Sequence, residues 1–377
     1  MEYLDVKLST LTVDNLEWMT GLVSLKHLMM NGVDLSMVKS NWLGILNKLP
    51  VLTKVHLSSC GLSGYIPSPT LVNFTSLAVI DLSFNMFNSK IPDWLVNISS
   101  LEYVDISNNL YGRIPLGFDE LPNLQVLKLA LHSNLTASCF QLFRRGWKKI
   151  EVLDLAYNKL HGKLPASLGN MTFLTYVGLA DNNIEGGIPS SIGKICNLNL
   201  FDLSGNNLTG SLPEILEGAE NCLFRSPLHG LQHFTLSNNH LHGTLPNWLS
   251  QLENLVELEL GYNSLQGPIP ALGSLLHLTQ LGLEGNELNG TLPDSLGQLS
   301  ELSGFDVSSN HLTGIVTESH FSKLTKLKIL HLSSNSFTLN DSSNWLPPFQ
   351  IQNLDMGSCH LGPSFPIGLN HRRRSCI

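Results

Sequence analysis

Aromatic and acidic side chains recur at fixed positions of a short repeated segment, where they are suited to non-covalent binding. The aromatic group comprises Phe84, Tyr103, Tyr157 and Tyr176. The acidic group lies further along the chain and comprises Glu257, Glu259, Tyr262 and Glu284. Aromatic anchors ringed by polar groups are typical of surfaces that recognise proteins or peptides. Both groups are therefore predicted to contact a ligand.

Aspartate recurs at a neighbouring position of the same segment. Its copies are Asp5, Asp81, Asp105, Asp154, Asp202, Asp306 and Asp355. A line of carboxylates is suited to a basic partner. Solvation of an exposed strand would explain the same pattern, so both interpretations stay open.

The motifs of catalysis and of metal binding are absent from the sequence. It contains no phosphate-binding loop, no GxSxG or HExxH motif and no CxxC pair, and its 14 histidines are scattered. We therefore predict no catalytic residue, no metal site and no cofactor, and we disfavour an enzyme. The net charge of −8 and the lack of a basic stripe in the repeats disfavour nucleic acid as a partner.

The side chains named above are positioned by one segment that repeats about every 25 residues. Its clearest copies start at Leu174 and Leu198 and read LTYVGLADNNIEGGIP and LNLFDLSGNNLTGSLP. Alternate leucines of a short strand point into a core, and the residues between them point outward. No copy can bury its own leucines, so the copies must stack. The pattern is typical of the leucine-rich repeat. It predicts an α/β solenoid, a right-handed superhelix of about 15 repeats with a parallel sheet on its concave face.

An asparagine follows the strand in most copies, where its amide is predicted to bond to the backbone of the turn. These residues are Asn85, Asn109, Asn158, Asn182, Asn206, Asn239, Asn263, Asn286, Asn310 and Asn335. Cys60 and Cys359 take this position in two other copies and are predicted to be buried free thiols. His132 takes it in an irregular copy.

The repeats predict a single solenoid over residues 1–366, with a small insertion at about 214–230 and an unpatterned tail over 367–377. Neither end carries the polar cap that a solenoid needs for solubility, so both ends are interpreted as cuts through a longer solenoid. The sequence contains neither a stretch of about 20 apolar residues nor a signal peptide, so a membrane anchor is predicted to be absent from this chain.

Asn-x-Ser/Thr triplets predict N-glycosylation and export, and they begin at Asn73, Asn97, Asn134, Asn170, Asn207, Asn289 and Asn340. The triplets at Asn73, Asn97 and Asn170 share one phase of the repeat, on the outer side of the coil. Glycans there would leave the strand face open. Cys196 and Cys222 lie near the ends of successive turns and could form a disulfide, although the sequence does not give their separation.

The glycine–proline form of the segment, LxGxIP or LxGxLP, recurs through most of the chain, as at Gly162/Pro165 and Gly186/Pro189. Together with WLPPFQIQNLDMGSCHLGPSFP at the end of the array, it resembles plant receptor-like proteins of the ethylene-inducing-xylanase-receptor type. The resemblance implies the extracellular side of the plasma membrane. It also implies a protein, peptide or glycan ligand on the concave face, and defence signalling through a partner receptor kinase.

Two alternatives to a receptor-like protein stay open. Secreted inhibitors of cell-wall-degrading enzymes resemble the same repeat subclass, but they are shorter and have disulfide caps at both ends. A truncated, non-functional gene product would also explain the uncapped ends and the unpatterned tail.

Overall fold

The computed structural model describes the repeats and leaves most of the predicted insertion and the whole tail outside its described residues. The described residues are 1–6, 11–68, 71–108, 110–132, 134–214, 222, 228–340 and 346–361. The chain divides into two compact units, Met1–Ile184 and Glu185–Ile377. A single solenoid over residues 1–366 stays a prediction.

Short parallel strands form a first sheet in each unit, which confirms the parallel sheet predicted from the repeats. The middle residue of each strand points into the core and pairs with the middle residue of the next strand, as Leu153 does with Leu127 and Val177, all three fully buried. In the first unit these strands are Tyr3–Asp5, His27–Met29, Lys54–His56, Val79–Asp81, Tyr103–Asp105, Val126–Lys128, Val152–Asp154 and Tyr176–Gly178. In the second unit they are Leu200–Asp202, His233–Thr235, Glu257–Glu259, Gln280–Gly282, Gly304–Asp306, Ile329–His331 and Asn353–Asp355. We call the outward side of this sheet the strand face.

A second set of parallel strands follows the turns and forms a second sheet. In the first unit its strands are Ser89–Lys90, Leu110–Arg113, Asn134–Ser138 and Lys159–Lys163. The strand Asn183–Gly186 contains the boundary between the units. In the second unit the strands are Asn207–Gly210, His240–Thr244, Ser264–Gly267, Glu287–Gly290, His311–Val316, Ser336–Leu339 and His360–Leu361. A separate pair joins Ser63–Gly64 to Met86–Phe87.

Short helices return the chain to the start of the next repeat. The 3₁₀ helices are Glu17–Gly21, Ser36–Asn41, Asp93–Asn97, Phe118–Glu120, Ala166–Asn170, Ser190–Lys194, Asn247–Gln251, Asp294–Gln298 and Glu318–Phe321, and the α-helices are Trp42–Leu46 and Cys139–Leu142. The proline of the repeat directly precedes several of these helices, as Pro165 and Pro293 do with φ of −81° and −72°. Proline favours a helix start because its ring fixes φ near the helical value.

The repeated asparagines bond to the backbone of their own turns, as the sequence predicts, and they also connect successive coils through buried hydrogen bonds. The Nδ2 of Asn182 donates to the carbonyl oxygens of Leu155, Leu179 and Ala180 at 3.0–3.1 Å. Its Oδ1 accepts the N–H of Leu160 at 2.9 Å. One side chain thus bonds to four backbone groups of two coils, two of which also accept other bonds, Ala180 O from the N–H of Tyr157 and Leu155 O from Asn158 Nδ2.

Cysteine replaces this asparagine in two described copies with different results. Cys60 is a buried free thiol, as predicted, and its Sγ donates to the carbonyl oxygen of Met30 at 3.0 Å. Cys359 is also free but only partly buried, so the prediction of a buried thiol there is wrong. Its Sγ lies 3.6 Å from the carbonyl oxygen of Leu332.

Candidate ligand-binding face

Two of the four predicted aromatic residues stand out from the strand face at its turns. Phe84 and Tyr157 are 51% and 53% exposed, and their φ angles are 53° and 57°. Side chains other than glycine rarely adopt such positive φ values. Here the turn asparagine, Asn158 in the case of Tyr157, fixes the backbone through its hydrogen bonds. The turn therefore holds each ring in a defined, exposed position.

The other two aromatic residues lie flatter on the same face. Tyr103 is half-buried, its hydroxyl donates to Asp105 Oδ2 at 3.4 Å, and the Nζ of Lys128 lies 6.0 Å from its ring centre. Burial, and then the carboxylate of Asp105, raise the pKa of Tyr103, so the phenol stays neutral and can donate. The ring of Tyr176 leans over Gly178, where a Cβ atom would lie 2.9 Å from Tyr176 Cε1.

A shallow cavity of about 480 Å³ adjoins Tyr157, and it is lined by Asn108, Leu131, Tyr157, Asn158 and Asp181. Leu131 is 44% exposed and has the same turn conformation as Tyr157, with φ of 63°. The sequence analysis did not select Leu131, because its copy of the repeat is irregular. Its place directly before His132, the substitute for the turn asparagine, is the signal that identifies it.

The acidic residues cluster on the strand face of the second unit, where glycines make room for them. A Cβ atom on Gly282 would lie 1.9 Å from Glu259 Oε2, and one on Gly261 would lie 2.3 Å from Glu284 Oε1. Each carboxylate therefore occupies the space that a side chain on the adjacent coil would fill. Because of these glycines, both glutamates are partly buried in the strand face.

The electrostatics of this cluster favour binding of a positive charge. Burial raises the pKa of Glu259 to about 7, with further contributions from the carboxylates of Glu284, Glu257 and Asp306. Burial also raises the pKa of Glu284, and its Oε2 is buried without a hydrogen-bond partner in the described part of the chain. A bound cation would satisfy that oxygen and relieve the repulsion between carboxylates.

Comparison with known proteins extends this description. A family model described as Leucine Rich Repeat matches residues 149–171, 197–219, 230–252 and 277–299. Receptor-like protein EIX1 of Solanum lycopersicum is 50% identical over 64 residues, which are 17% of this chain and 6% of that protein.

Solved plant receptor structures match over most of the chain. A TDR receptor has a TM-score of 0.76 at 26% identity, over 89% of this chain and 56% of that one. The leucine-rich-repeat ectodomain of the Arabidopsis receptor kinase HAESA, in complex with an IDA peptide hormone, has a TM-score of 0.73 at 26% identity over 91% and 59%. The structure of HAESA with IDA and the co-receptor SERK1 has a TM-score of 0.62 at 25% identity, over 92% of this chain and 68% of that one.

The chain contains leucine-rich repeats over the matched residues. Its sequence is similar to plant receptor-like proteins, and its fold is that of plant receptor ectodomains. It spans little more than half the length of the TDR receptor chain and a small part of the length of EIX1. The ligands and partners of those proteins are therefore not transferred to it directly.

The aspartates of the first-sheet strands form hydrogen bonds within their own turns. Oδ1 of Asp202 accepts the N–H of Ser204 at 2.9 Å, and Oδ1 of Asp306 accepts that of Ser308 at 2.9 Å. The same bond forms at Asp81, Asp105, Asp154 and Asp355. Such turns explain why aspartate recurs there without any ligand. The structure favours a role within the turn, which the sequence did not suggest, over a basic partner.

The predicted glycosylation sites are all exposed, at Asn73, Asn97, Asn134, Asn170, Asn207, Asn289 and Asn340. Asn97 and Asn170 end 3₁₀ helices, whereas Asn134 and Asn207 begin strands of the second sheet. The two residues after Asn340 lie outside the described residues, as does the turn residue Asn109.

A disulfide joins Cys196 to Cys222, whose Cα atoms lie 5.4 Å apart. The bond fixes one point of the insertion to the preceding coil. Most of the insertion around Cys222 lies outside the described residues.

Metal and membrane sites were also sought across the described ranges. They contain no group of three or more histidine, cysteine or acidic side chains placed to hold a metal ion. They contain no helix with the length and apolar character needed to span a membrane.

Proposed function

We propose that this chain is a non-catalytic recognition module of a plant cell-surface receptor-like protein. Its strand face binds a peptide or protein ligand that carries a basic side chain. The observation that carries this proposal is the pair Glu259 and Glu284, set into the face over glycines with one carboxylate oxygen unsatisfied. The HAESA structures with a bound peptide hormone support a peptide as the ligand class.

The arrangement around the pair restricts what can bind. Glu257 Oε2 lies 2.9 Å from His233 Nδ1, and Asp306 Oδ2 lies 2.8 Å from His331 Nδ1, so each of these carboxylates already has a side-chain partner. Glu259 and Glu284 have no such partner in the described structure. An arginine or lysine side chain is the natural complement, because it donates several hydrogen bonds and carries the opposite charge.

The aromatic residues of the first unit are a separate candidate surface for apolar contacts. Phe84 and Tyr157 are rigid and exposed, and rings of this kind commonly dominate the energy of protein interfaces. N-glycosylation at the seven exposed asparagines, defence signalling through a partner kinase and a place on the extracellular side of the plasma membrane complete the proposal. The similarity to the receptor-like protein EIX1 supports a receptor-like protein, and the HAESA complex with a co-receptor supports a partner receptor.

The double variant Glu259→Gln/Glu284→Gln is expected to lose basic-peptide binding by about tenfold or more, because both charge-assisted contacts are removed. The probe is a displayed peptide library, selected on the wild-type protein and then measured by titration. Selected peptides should share a lysine or arginine whose replacement by norleucine abolishes binding. Because the pKa of Glu259 is about 7, wild-type affinity should fall as the pH drops from 8 to 6, and this dependence should be weaker in Glu259→Gln.

Glu287→Gln is the matched control for this experiment. It removes one negative charge from an exposed residue in the second sheet, where Glu287 accepts a bond from Gln266, and it is compared with the single variant Glu259→Gln. Peptides without a common basic residue, or an equal loss in the control, would exclude the acidic cluster as the binding site.

The double variant Tyr103→Ala/Tyr157→Ala is expected to abolish capture of those library peptides whose binding does not depend on Glu259 and Glu284, without loss of folding. Tyr157 contributes exposed ring area, and Tyr103 contributes a neutral hydroxyl beside Lys128. Tyr65→Ala removes another exposed tyrosine of the same unit, outside the first sheet, and should leave capture unchanged. Binding that survives the double variant, checked against an unaltered melting temperature, would remove the aromatic residues from the site.

A further inference from the structure

A row of positive charges lies on the second sheet of the first unit. Its members are Lys90, Arg113, Lys159 and Lys163, one or two from each of three strands, with His161 between the last two. All five side chains are exposed. We call this set the cationic row. The four strands Ser89–Lys90, Leu110–Arg113, Asn134–Ser138 and Lys159–Lys163 contain no aspartate or glutamate.

The cationic row is not a property of the repeat. The equivalent strands of the second unit, from Asn207–Gly210 to His360–Leu361, contain no lysine or arginine at all. No basic stripe is visible in the sequence, because the charges are spread over separate coils of a chain whose net charge is −8. Stacking of the coils brings them onto one sheet.

The register of the strands sets the spacing of the charges. Arg113 pairs with Thr136, and Thr136 pairs with Lys159, so the two basic residues lie two strands apart, at about 10 Å. The Nζ of Lys159 donates to Asn134 Oδ1 at 2.8 Å. The stem of Lys90 lies against Gly112, where a Cβ atom would be 3.2 Å from Lys90 Cγ. The row is therefore partly ordered by its own sheet.

The charges of the row are available to a partner. Within the described ranges, the ion pairs of lysine and arginine involve other residues, namely Lys26, Lys48, Arg145 and Lys326. Exposed like charges on strands that contain no acidic residue repel one another, and a polyanion would remove that repulsion.

The surface around the row is polar and hydrogen-bonding. The strands present Asn134, Thr136, Ser138 and the partly exposed Tyr111 beside the charges. None of the exposed large hydrophobic residues of the described chain falls within these four strands. Protein interfaces usually depend on several apolar or aromatic anchors, whereas the partly exposed Tyr111 is the one tyrosine, phenylalanine or tryptophan in these four strands. A flexible, hydroxyl-rich chain of carboxylates matches it better.

We infer that the cationic row binds an anionic polysaccharide with a carboxylate on successive sugar rings, a polyuronate. Arginine and lysine pair with the carboxylates, and the amide and hydroxyl side chains bond to the sugar hydroxyls. This surface lies on a different sheet from the proposed peptide site, so the two functions can succeed or fail independently.

The test measures binding of de-esterified oligogalacturonate to the full chain at two salt concentrations. We expect binding that weakens as salt rises, because the contacts are exposed and ionic. Arg113→Glu/Lys159→Glu should lower the affinity by at least about tenfold, because two attractive contacts become repulsive. Arg113→Gln/Lys159→Gln should give a smaller loss of affinity. It replaces the charge-reversal variant in the test if that variant does not fold.

The controls separate this site from general charge effects. Lys148→Glu/Lys323→Glu changes the net charge equally at exposed residues outside the second sheet and should retain binding. Fully methyl-esterified oligogalacturonate has the same sugar chain without charge and should not bind. Failure of the free acid to bind, equal binding of the ester, or an equal loss in the control pair would each overturn the inference.

Two further arms test the class of ligand and the role of the glycan. Poly-L-glutamate carries the same charge on a polypeptide, and if it binds as tightly as the polyuronate, the assignment to a polysaccharide is wrong. Protein from a plant host is compared with its Asn134→Gln variant, since a glycan on Asn134 would stand beside Lys159. Equal binding by the two supports the inference, whereas binding only by the variant would assign this surface to the protein's own glycan.

Discussion

Replacing Asn182 with alanine is expected to lower the free energy of unfolding by about 3–5 kcal/mol. The change removes a side chain that is 8% exposed and makes four hydrogen bonds to the backbone of two coils. Each buried polar group left without a partner costs about 1–3 kcal/mol. The sum is less than four full penalties, because Ala180 O still accepts the N–H of Tyr157. Urea unfolding followed by circular dichroism measures the loss.

Asn183 provides a control one residue away. It has the same side chain but is exposed, so Asn183→Ala should change the unfolding free energy by no more than about 0.5 kcal/mol. The damage in Asn182→Ala should also be local, since each coil contacts only its neighbours. The amide of Leu160, which loses its acceptor, should exchange faster with solvent. Equal destabilisation by the two variants would show that the asparagine ladder contributes nothing specific.

The repeat could be predicted from the sequence because every coil has the same needs. Each must bury its alternate leucines, as Leu153 and Leu155 are buried, and each must satisfy the backbone of its turn with one amide. These requirements for packing and hydrogen bonding place the same residue types at constant spacing along the chain. The period of two within each strand also predicts which side chains point outward, so the aromatic and acidic residues were found on the strand face.

The chemistry of that face could be predicted only in part, because it depends on pairs of residues in adjacent coils. The space for Glu259 exists because residue 282 is glycine, and the space for Glu284 exists because residue 261 is glycine. Outward position alone does not distinguish these glutamates from an aspartate such as Asp202, which bonds within its own turn. The cationic row was missed for the same reason, since its members meet only after stacking.

Substitution in the asparagine ladder also introduces behaviour that the repeat pattern does not contain. His132 occupies the ladder position, and its Nδ1 accepts the N–H of Leu110 at 2.8 Å, the role that asparagine Oδ1 has elsewhere. The ring is 1% exposed, and this burial lowers its pKa from 6.5 to about 4. Asparagine does not titrate. The histidine therefore makes this coil sensitive to acid.

His132→Asn is expected to remove a loss of stability that the wild-type protein shows between pH 6.5 and about 4. Over that range the unfolded chain binds a proton at His132 and the folded chain does not, so acidification favours unfolding. Lowering the pKa of His132 from 6.5 to about 4 reduces the free energy of unfolding by roughly 3 kcal/mol at the acid end of the range. Above pH 6.5 the histidine is neutral in both states, and the variant should differ from wild type by about 1 kcal/mol or less, from packing alone.

Urea unfolding at several pH values between 7.5 and 4.5 separates this contribution from that of other groups. Glu259 acts in the opposite direction, since its raised pKa makes stability fall as the pH rises from 4.5 to about 7. Both proteins contain Glu259, so its contribution cancels in the difference between wild type and His132→Asn. His161→Asn alters an exposed histidine of the same unit and should follow the wild-type curve. Parallel curves for wild type and His132→Asn would mean that the buried ring takes up its proton without unfolding the coil, and the acid sensitivity would then have to originate elsewhere.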